Sequence, residues 1–295
     1  MSHVPVLMQE VLEFLNAKRG GRFVDMTLGG AGHAHALLET SASSELLGID
    51  RDRPAILRSQ KVLSAFASRA HFFHGSFLDL EKALESISWK KVEGIFADLG
   101  VSSFQLDEAE RGFSFRNDAP LDMRMDQSSE MSAADWINSV DEEEMADVFF
   151  HYGEERFSRK IAKKICEQRE VSPFLTTRAL AECIESVFPA SWRRKNKIHP
   201  ATRVFQAIRI YINGELDQLE HLLKTAPAYL SAGGRFVVLS YHSLEDRLVK
   251  RAFRDLEKEG EYSLPLRRVL IPCDEEIAAN PRARSAKLRV LERKS

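Results

Sequence analysis

The sequence predicts an α/β fold, in which a parallel, doubly wound sheet is interrupted by an all-helical insertion. Short apolar strands alternate with helices across residues 22–98, which is the pattern of such a sheet. Residues 132–213 show almost only helical periodicity, and a strand pattern returns at residues 233–240. We therefore expect a discontinuous core, residues 1–106 and 214–295, and an inserted helical domain at residues 107–213.

The first part of the core alternates helices and strands in a regular order. Its predicted helices are residues 8–16, 34–39, 53–66 and 79–87, and its predicted strands are residues 22–25, 45–50, 71–77 and 92–98. The residues that end the four strands are Asp25, Asp50, Phe77 and Asp98. Ligands bind beyond the carboxyl ends of the strands in such sheets, so we expect these four residues at one edge.

The insertion and the last part of the core follow. The predicted helices of the insertion are residues 141–152, 158–169, 176–187 and 202–223. Ser132 and Asp135 resemble a capping box, which marks the start of a helix. After the strand at residues 233–240, a helix at 243–258 and a strand at 285–292 are predicted.

Composition limits the class of protein. The chain has 295 residues, of which 44% are hydrophobic, enough for a full core and one further domain. Its 42 Lys and Arg against 44 Asp and Glu argue against a generic polyanion binder, so any nucleic-acid surface must be local. Three widely spaced cysteines without a C-x-x-C motif support neither a disulfide framework nor a cysteine zinc site. The sequence shows no signal peptide and no apolar run of transmembrane length, so we expect a cytoplasmic protein that does not enter the membrane.

Residues 23–33 form a strand, a glycine-rich turn and the start of a helix, which lets backbone N–H groups approach a ligand. A dinucleotide fingerprint would read G-x-G-x-x-G. Gly30 and Gly32 fit its first two positions, but His35 stands at the third, which argues against NAD or FAD. S-adenosyl-L-methionine is the alternative ligand, with Asp50 at its ribose hydroxyls. A tight turn without a ligand remains the structural alternative.

Residues 98–103 follow the fourth strand and are rich in hydrogen-bond acceptors. Methyl transfer to an exocyclic amine is difficult because the nitrogen lone pair is conjugated into the base. Acceptors can localise that lone pair and collect the proton, and Asp98, Ser102 and Ser103 are the candidates. A sulfonium methyl is already activated, so no metal is required. A role for Asp98 as a strand-end cap is the alternative.

A second polar cluster, residues 241–247, lies where another strand meets a helix. His242 is a catalytic candidate there. Ser243 with Asp246 is also consistent with a capping box for the next helix. His33 and His35 do not suggest a metal site, because their i, i+2 spacing on a helix does not put both side chains on one face.

The strongest nucleic-acid signal lies in residues 186–214, which contain no acidic residue. Its basic candidates for RNA contact are Arg193, Arg194, Lys195, Lys197, Arg203 and Arg209. Trp192, Phe205 and Tyr211 are interleaved with them. Basic side chains neutralise phosphates and aromatic rings stack on unpaired bases, while a solvated helix face with buried rings is the alternative. A second basic run at residues 280–289 adds to this signal.

Eleven motifs, in order along nearly the whole chain, resemble the bacterial ribosomal RNA small subunit methyltransferase H family. They are HVPVL at 3–7, DMTLGGAGH at 25–33, GIDRD at 48–52, DLGVSS at 98–103, RGFSF at 111–115, LDMRMD at 121–126, YGEER at 152–156, HPATR at 199–203, FQAIRI at 205–210, HSLEDR at 242–247 and NPRARS at 280–285. Two departures are Ala31 in place of a usual glycine and Tyr241 in place of a usual phenylalanine.

The resemblance implies a Rossmann-like, class I S-adenosyl-L-methionine-dependent methyltransferase core with an inserted helical domain that recognises the substrate. It implies methylation of the N4 amine of a cytosine in the decoding (P-site) region of 16S rRNA, in the small ribosomal subunit. Together with the glycine turn, it implies cofactor contacts by Gly30, Ala31, Gly32, His33, Asp50, Phe77, Asp98 and Gln105. The family lacks the N-P-P-Y loop of other amino methyltransferases, so the catalytic role of Asp98 is a hypothesis. The sequence leaves the oligomeric state open, including a homodimer.

Two other classes of function stay open. A dinucleotide-dependent oxidoreductase is opposed by the missing third glycine of the fingerprint. A non-catalytic RNA-binding assembly factor that retains the fold is opposed by the glycine turn, Asp50 and Asp98, which a simple binder does not need. Cofactor binding separates the enzyme from the oxidoreductase, and turnover separates it from the assembly factor.

Overall fold

A computed structural model describes residues 5–189 and 198–295. The chain forms two compact units, which we call the sheet unit (Met1–Gly100 and Leu216–Ser295) and the helical unit (Val101–Glu215). The predicted fold class, an α/β core with a helical insertion, is confirmed.

The sheet unit is built on a seven-stranded sheet within the described residues, in the order β3-β2-β1-β4-β5-β7-β6. The strands are β1 (Gly21–Asp25), β2 (Ser44–Asp50), β3 (Ala70–His74), β4 (Val92–Asp98), β5 (Leu230–Ser240), β6 (Tyr262–Ser263) and β7 (Lys287–Arg293). β1 to β5 run parallel to one another, but β7 runs antiparallel to its neighbours β5 and β6. The sheet is therefore mixed, and the expectation of a wholly parallel sheet is wrong at this end.

Helices cover both faces of the sheet. The helices that precede the helical unit are α1 (Met8–Phe14), α2 (Gly32–Thr40), α3 (Arg53–Val62) and α4 (Leu80–Ser86). Successive strand residues point to opposite faces, so Phe23, Leu46 and Phe96 join the core that includes α2 and α3. Val24, Leu47 and Ile95 join the core that includes α4. Burial on both faces explains why these strands are continuous apolar runs.

The helical unit contains α5 (Ser103–Asp107), α6 (Ala133–Ser139), α7 (Glu142–Gly153), α8 (Ser158–Arg169), α9 (Thr177–Ser186) and α10 (Ala201–Asn213) among its described residues. Their buried apolar residues form one core of their own. The long irregular segment before α6 is held by two buried polar side chains. Arg111 donates to the carbonyls of Arg124 and Met125, and Asn213 bonds the backbone of Met123 and Met125.

The chain then forms α11 (Glu215–Thr225), α12 (Ser243–Glu259) and α13 (Asp274–Ala279). The prediction of one helix over residues 202–223 is wrong, because Gly214 separates α10 from α11 with a left-handed φ of 56°. Glycine adopts this conformation without steric cost, and it commonly ends helices in this way. The apolar periodicity continues through the break, which is why the sequence pattern alone suggested a single helix.

Candidate active site

Three carboxylates lie at the carboxyl edge of adjacent strands in the sheet unit. Asp25, Asp50 and Asp98 end β1, β2 and β4, which are neighbours in the sheet. Burial, with smaller contributions from the charges of Asp98 and Asp50, raises the pKa of Asp25 to about 7, although hydrogen bonds from Thr27 oppose the rise. Burial also raises the pKa of Asp50 to about 6. Such a group of acids disfavours its own ionisation and favours a cationic ligand.

Phe77 is placed differently from the prediction. The third strand, β3, ends at His74, and Phe77 begins a short 3₁₀ turn that ends at Asp79. Ser76 and Asp79 form a capping box for that turn, which takes the chain away from the sheet before Phe77 is reached. Phe77 therefore follows a strand rather than ending one.

The glycine-rich turn between β1 and α2 is tied to the end of β2. The backbone N–H of Gly29 donates to Oδ2 of Asp50 at 2.8 Å, and Oδ1 of Asp50 accepts from the N–H of Asp52 at 2.8 Å. Ala31 has a left-handed φ of 59° and caps α2. A Cβ on Gly32 would lie 2.4 Å from Cγ of Pro5, so only glycine fits there. The backbone of the turn and the first turn of α2 can receive a ligand, and the cofactor contacts of Gly30, Ala31 and Gly32 stay predictions.

His33 is buried and neutral. Its Nε2 donates to the carbonyl of Val6 at 2.9 Å, and burial lowers its pKa to about 4. Its Nδ1 therefore carries no proton, and it lies 4.0 Å from Oδ2 of Asp98. His35 instead pairs with Glu39. Among residues 5–189 and 198–295, no group of three or more His, Cys, Asp and Glu could hold a metal ion.

Asp98 is held at several points, and its side chain is 28% exposed. Its backbone N–H donates to Oγ1 of Thr27 at 2.6 Å, and Oδ1 accepts from the hydroxyl of Tyr241 at 2.7 Å. Oγ1 of Thr27 donates in turn to Oδ1 of Asp25. Asp98 is thus an oriented, partly accessible acceptor beside the glycine-rich turn.

His242 begins α12 as its N-cap. Its Nδ1 accepts from the backbone N–H of Glu245, and Oε2 of Glu245 accepts from the N–H groups of His242 and Tyr241. The proposed capping box of Ser243 and Asp246 is therefore wrong by one residue. Asp246 pairs with Arg289 and Lys287, which lower its pKa although burial opposes them.

Ser102, Ser103 and Gln105 lie in the helical unit, at the start of α5. The hydroxyl of Ser102 accepts from the N–H of Gln105, and Oε1 of Gln105 accepts from the N–H of Ser102. This capping box gives Ser102 and Gln105 a structural task at the helix start. The catalytic role of the two serines and the cofactor contact of Gln105 stay predictions.

Four of the six basic candidates, Arg193, Arg194, Lys195 and Lys197, lie outside the described residues. Arg203 is exposed and donates to the carbonyl of Glu154. Arg209 forms a two-point ion pair with Glu215, at 2.8 and 2.9 Å, and both side chains are largely buried. The structure therefore assigns Arg209 an architectural role.

Aromatic residues alternate with the basic candidates in this stretch. Those that the structure describes, Phe205 and Tyr211, belong to the core of the helical unit. Phe205 is buried and packs edge-on against Phe115. Tyr211 stacks beside Trp136, and its hydroxyl donates to Glu144 at 2.6 Å. The alternative interpretation, a helix face with buried rings, fits both residues.

Two residues of the site were missed. Thr27 and Tyr241 both bond Asp98, but in the sequence Tyr241 stands out only as a departure from the family and Thr27 does not stand out. A threonine two residues after a strand-end acid was a usable signal, because its hydroxyl can bond that carboxylate. Nothing local to residue 241 indicates its bond across 143 positions.

No helix in the described part of the chain is long and apolar enough to cross a membrane.

Comparison with known proteins gives a consistent result. The MraW methylase family matches residues 1–294 of the chain. The ribosomal RNA small subunit methyltransferase H of Cyanothece sp. is 46% identical over 99% of this chain and 94% of its own length. Its counterpart from Synechococcus elongatus is 49% identical over the same shares. Among solved structures, TrmN from Thermus thermophilus aligns with a TM-score of 0.46 at 14% identity, covering 97% of this chain and 48% of that one.

Proposed function

The chain belongs to the MraW methylase family, and from this premise we propose that it methylates the N4 amine of a cytosine in the decoding (P-site) region of 16S rRNA, in the small ribosomal subunit. Its relatives, which are named ribosomal RNA small subunit methyltransferase H, support rRNA of the small subunit as the substrate. Membership of a methylase family also means that the oxidoreductase alternative is wrong. The observation that carries the choice of an amine is Asp98, an oriented acceptor at the carboxyl edge of the sheet.

S-adenosyl-L-methionine is the methyl donor of this methylase. When bound, it supplies a methyl group that is already activated on a positively charged sulfur. The described residues fit such a molecule. The turn before α2 places backbone and the start of a helix beside the end of β2, and the neighbouring acids favour a cation. Gly30, Ala31, Gly32, His33 and Asp50 are the residues that we propose to hold it.

Asp98 acts as the hydrogen-bond acceptor and general base for the amine. Its carboxylate accepts a hydrogen bond from the N4 amine, which localises the nitrogen lone pair for attack on the methyl group. The amine proton passes to the same carboxylate as the new N–C bond forms. The bonds to Thr27 and Tyr241 fix the orientation of Asp98 before substrate arrives, so little reorganisation is needed. We keep Ser102, Ser103 and His242 as catalytic candidates of lower rank.

Methylation at ring carbon 5 of the cytosine is the main chemical alternative. It requires a cysteine thiolate that adds to the base. Burial raises the pKa of Cys166 and raises that of Cys183 to about 11, so both stay thiols near neutral pH. These two thiols are therefore not activated for that reaction, and the third cysteine, Cys273, is exposed at the N-cap of α13.

The RNA must deliver its base unpaired. An enzyme that modifies a base reaches it in a single strand or flips it out of the helix. We propose that Arg203, together with Arg193, Arg194, Lys195 and Lys197, contacts the phosphates in an assembled or nearly assembled subunit. Arg209 is left out of this surface because of its pair with Glu215.

The direct test is methyl transfer from radiolabelled S-adenosyl-L-methionine to small subunits that lack the modification. Nucleosides are then separated and identified, with naked 16S rRNA and large subunits as parallel substrates. We expect label only in N4-methylcytidine from small subunits. Label in 5-methylcytidine or in a ribose would contradict the proposal. Cofactor binding without any transfer would favour the assembly-factor alternative.

A further inference from the structure

Tyr241 forms hydrogen bonds with two carboxylates of the sheet unit, Asp98 and Glu245. It lies between β5 and α12, and its hydroxyl donates to Oδ1 of Asp98 at 2.7 Å. A carboxylate can only accept, so the phenol is the donor. Hydrogen bonds to an ionised group are about twice as strong as those between neutral groups.

Both ends of Tyr241 are fixed. Its backbone N–H donates to Oε2 of Glu245 at 2.8 Å, and Glu245 is only 2% exposed. Glu245 also forms the capping box with His242 that begins α12. The ring packs against the buried cluster that contains Phe96 and Leu239. The hydroxyl therefore has a defined position relative to Asp98.

The charged and titratable groups around this pair are mainly acidic. On the Asp98 side lie Asp25, Asp50 and the neutral His33, and on the Tyr241 side lie Glu245 and Glu276. Burial, and next the charge of Asp98, raise the pKa of Tyr241 well above its ordinary value of 10. The phenol keeps its proton and remains a donor throughout the working pH range.

We propose that Tyr241 is a positioning residue for methyl transfer: its hydroxyl orients the Asp98 carboxylate and holds it ionised, and so sets the lower pH limit of the reaction. The inference rests on the proposed function. As the amine nitrogen bonds the methyl carbon, the carbon–sulfur bond breaks and its electron pair stays on sulfur. The amine proton goes to Asp98. Tyr241 transfers no proton, and it acts through Asp98 alone.

Tyr241→Phe in the full chain tests the inference. The resembled family usually has phenylalanine here, so the variant is expected to fold. Without the hydroxyl bond, the charged form of Asp98 is less favoured. We expect the acid limb of the kcat profile to move up by about one pH unit, so that the loss of kcat grows as the pH falls. We expect KM for S-adenosyl-L-methionine to change by less than about two-fold. Tyr229→Phe is the matched control, because it removes a phenol that bonds Glu81.

A second measurement does not depend on turnover. The carbon-13 shift of the Asp98 side-chain carboxyl is titrated in the cofactor-free protein, assigned by comparison with Asp98→Asn. We expect Asp98 to take up its proton at a higher pH in Tyr241→Phe than in the wild type or Tyr229→Phe. Superimposable titrations and pH profiles would overturn the inference, as would an equal loss of kcat at every pH.

The two proposals fail in different ways. If wild-type protein makes N4-methylcytidine and Tyr241→Phe has an unshifted profile, the inference fails and the proposed function stands. If the wild type makes another product, the proposed function fails, and the carbon-13 titration still decides whether Tyr241 controls the ionisation of Asp98.

Discussion

Both units contain ion pairs, such as Asp246 with Arg289 in the sheet unit, but in the sheet unit there is also a group of buried acids crowded at one edge. In the sheet unit, Asp25 and Asp50 are gathered at one edge, where their pKa values are raised to about 7 and about 6. In the helical unit, charges are matched within the unit. Arg124 bonds Asp122 at two points, and Arg209 does the same with Glu215.

This difference separates charges that serve a ligand from charges that serve the fold. Paired ions with satisfied hydrogen bonds hold loops and helices in place. Acids that are crowded together destabilise the free protein through burial and mutual repulsion. A bound cation reduces that cost. The crowding of acids at strand ends, rather than the number of charges in a window, therefore indicates the site.

Asp98→Asn gives the largest expected effect and tests the functional side of the comparison. The amide keeps the shape of the carboxylate and can still accept from Tyr241, but it cannot take a proton. We expect kcat to fall by about 10²–10⁴-fold, the range for general base catalysis, with a much smaller loss of cofactor affinity, because Asp25 and Asp50 keep their carboxylates. Single-turnover methyl transfer and calorimetric cofactor titration measure the two quantities. Full turnover in a folded variant would remove Asp98 from the mechanism.

Arg209→Met tests the architectural side. Removing one partner leaves Glu215 largely buried and without its two-point ion pair, which costs about 3 kcal/mol of unfolding free energy. Denaturant unfolding measures this loss, and Arg209→Met combined with Glu215→Leu is expected to recover most of it. Arg203→Met is the control, since Arg203 is exposed.

Arg203→Met is expected to change stability by less than about 0.5 kcal/mol. The slope of the logarithm of the subunit-binding constant against the logarithm of salt concentration is expected to become shallower by about one, the loss of one phosphate contact. If Arg209→Met behaved in this way instead, with full stability, the architectural assignment of Arg209 would be wrong.

Asp25→Asn tests whether the crowded acids destabilise the free protein. The folded pKa of Asp25, about 7, exceeds its ordinary value of 3.8, so the folded state binds more protons between these pH values. Its stabilising contribution is complete below pH 3.8 and is lost as pH rises through 7. From pH 5 to 7, the wild type should lose about 2 kcal/mol more unfolding free energy than Asp25→Asn. Parallel stability curves for the two proteins would contradict this.

Gly214→Ala tests the break between α10 and α11. The left-handed φ of 56° between α10 and α11 strains any residue with a Cβ, at a cost of about 1 kcal/mol. Thermal unfolding measures it. Gly214→Asn, which tolerates this conformation better, is expected to cost less than alanine. Equal stability of all three proteins would mean that the break between the helices relaxes freely.

Local patterns predicted most of the fold. The strands that end in Asp25, Asp50 and Asp98 were located because their apolar runs and terminal acids are contiguous in the sequence. Their convergence followed from the parallel topology. The direction of β7 was not predictable, because apolar alternation is the same for either direction of pairing.

The predictions were wrong where a contact across a turn, or between residues far apart in the sequence, determines the structure. Residues 186–214 contain no acid, yet Glu215 follows directly, and the turn at Gly214 brings it to Arg209. The capping box of α12 was placed one residue late because both Ser243 and His242 can cap a helix. The bond from Tyr241 to Asp98 joins residues 143 positions apart, and no local pattern records it.

The strand order has a consequence for how a nascent chain acquires this fold. β4 and β5 are neighbours in the sheet, yet the whole helical unit is synthesised between them, which takes roughly ten seconds at common rates of translation. During that time β1 to β4 present an apolar edge that has no partner strand. β7, the last strand to emerge, then enters between β5 and β6. Production of this protein should therefore depend on chaperones that shield the open edge, and shortening β7 should cause aggregation.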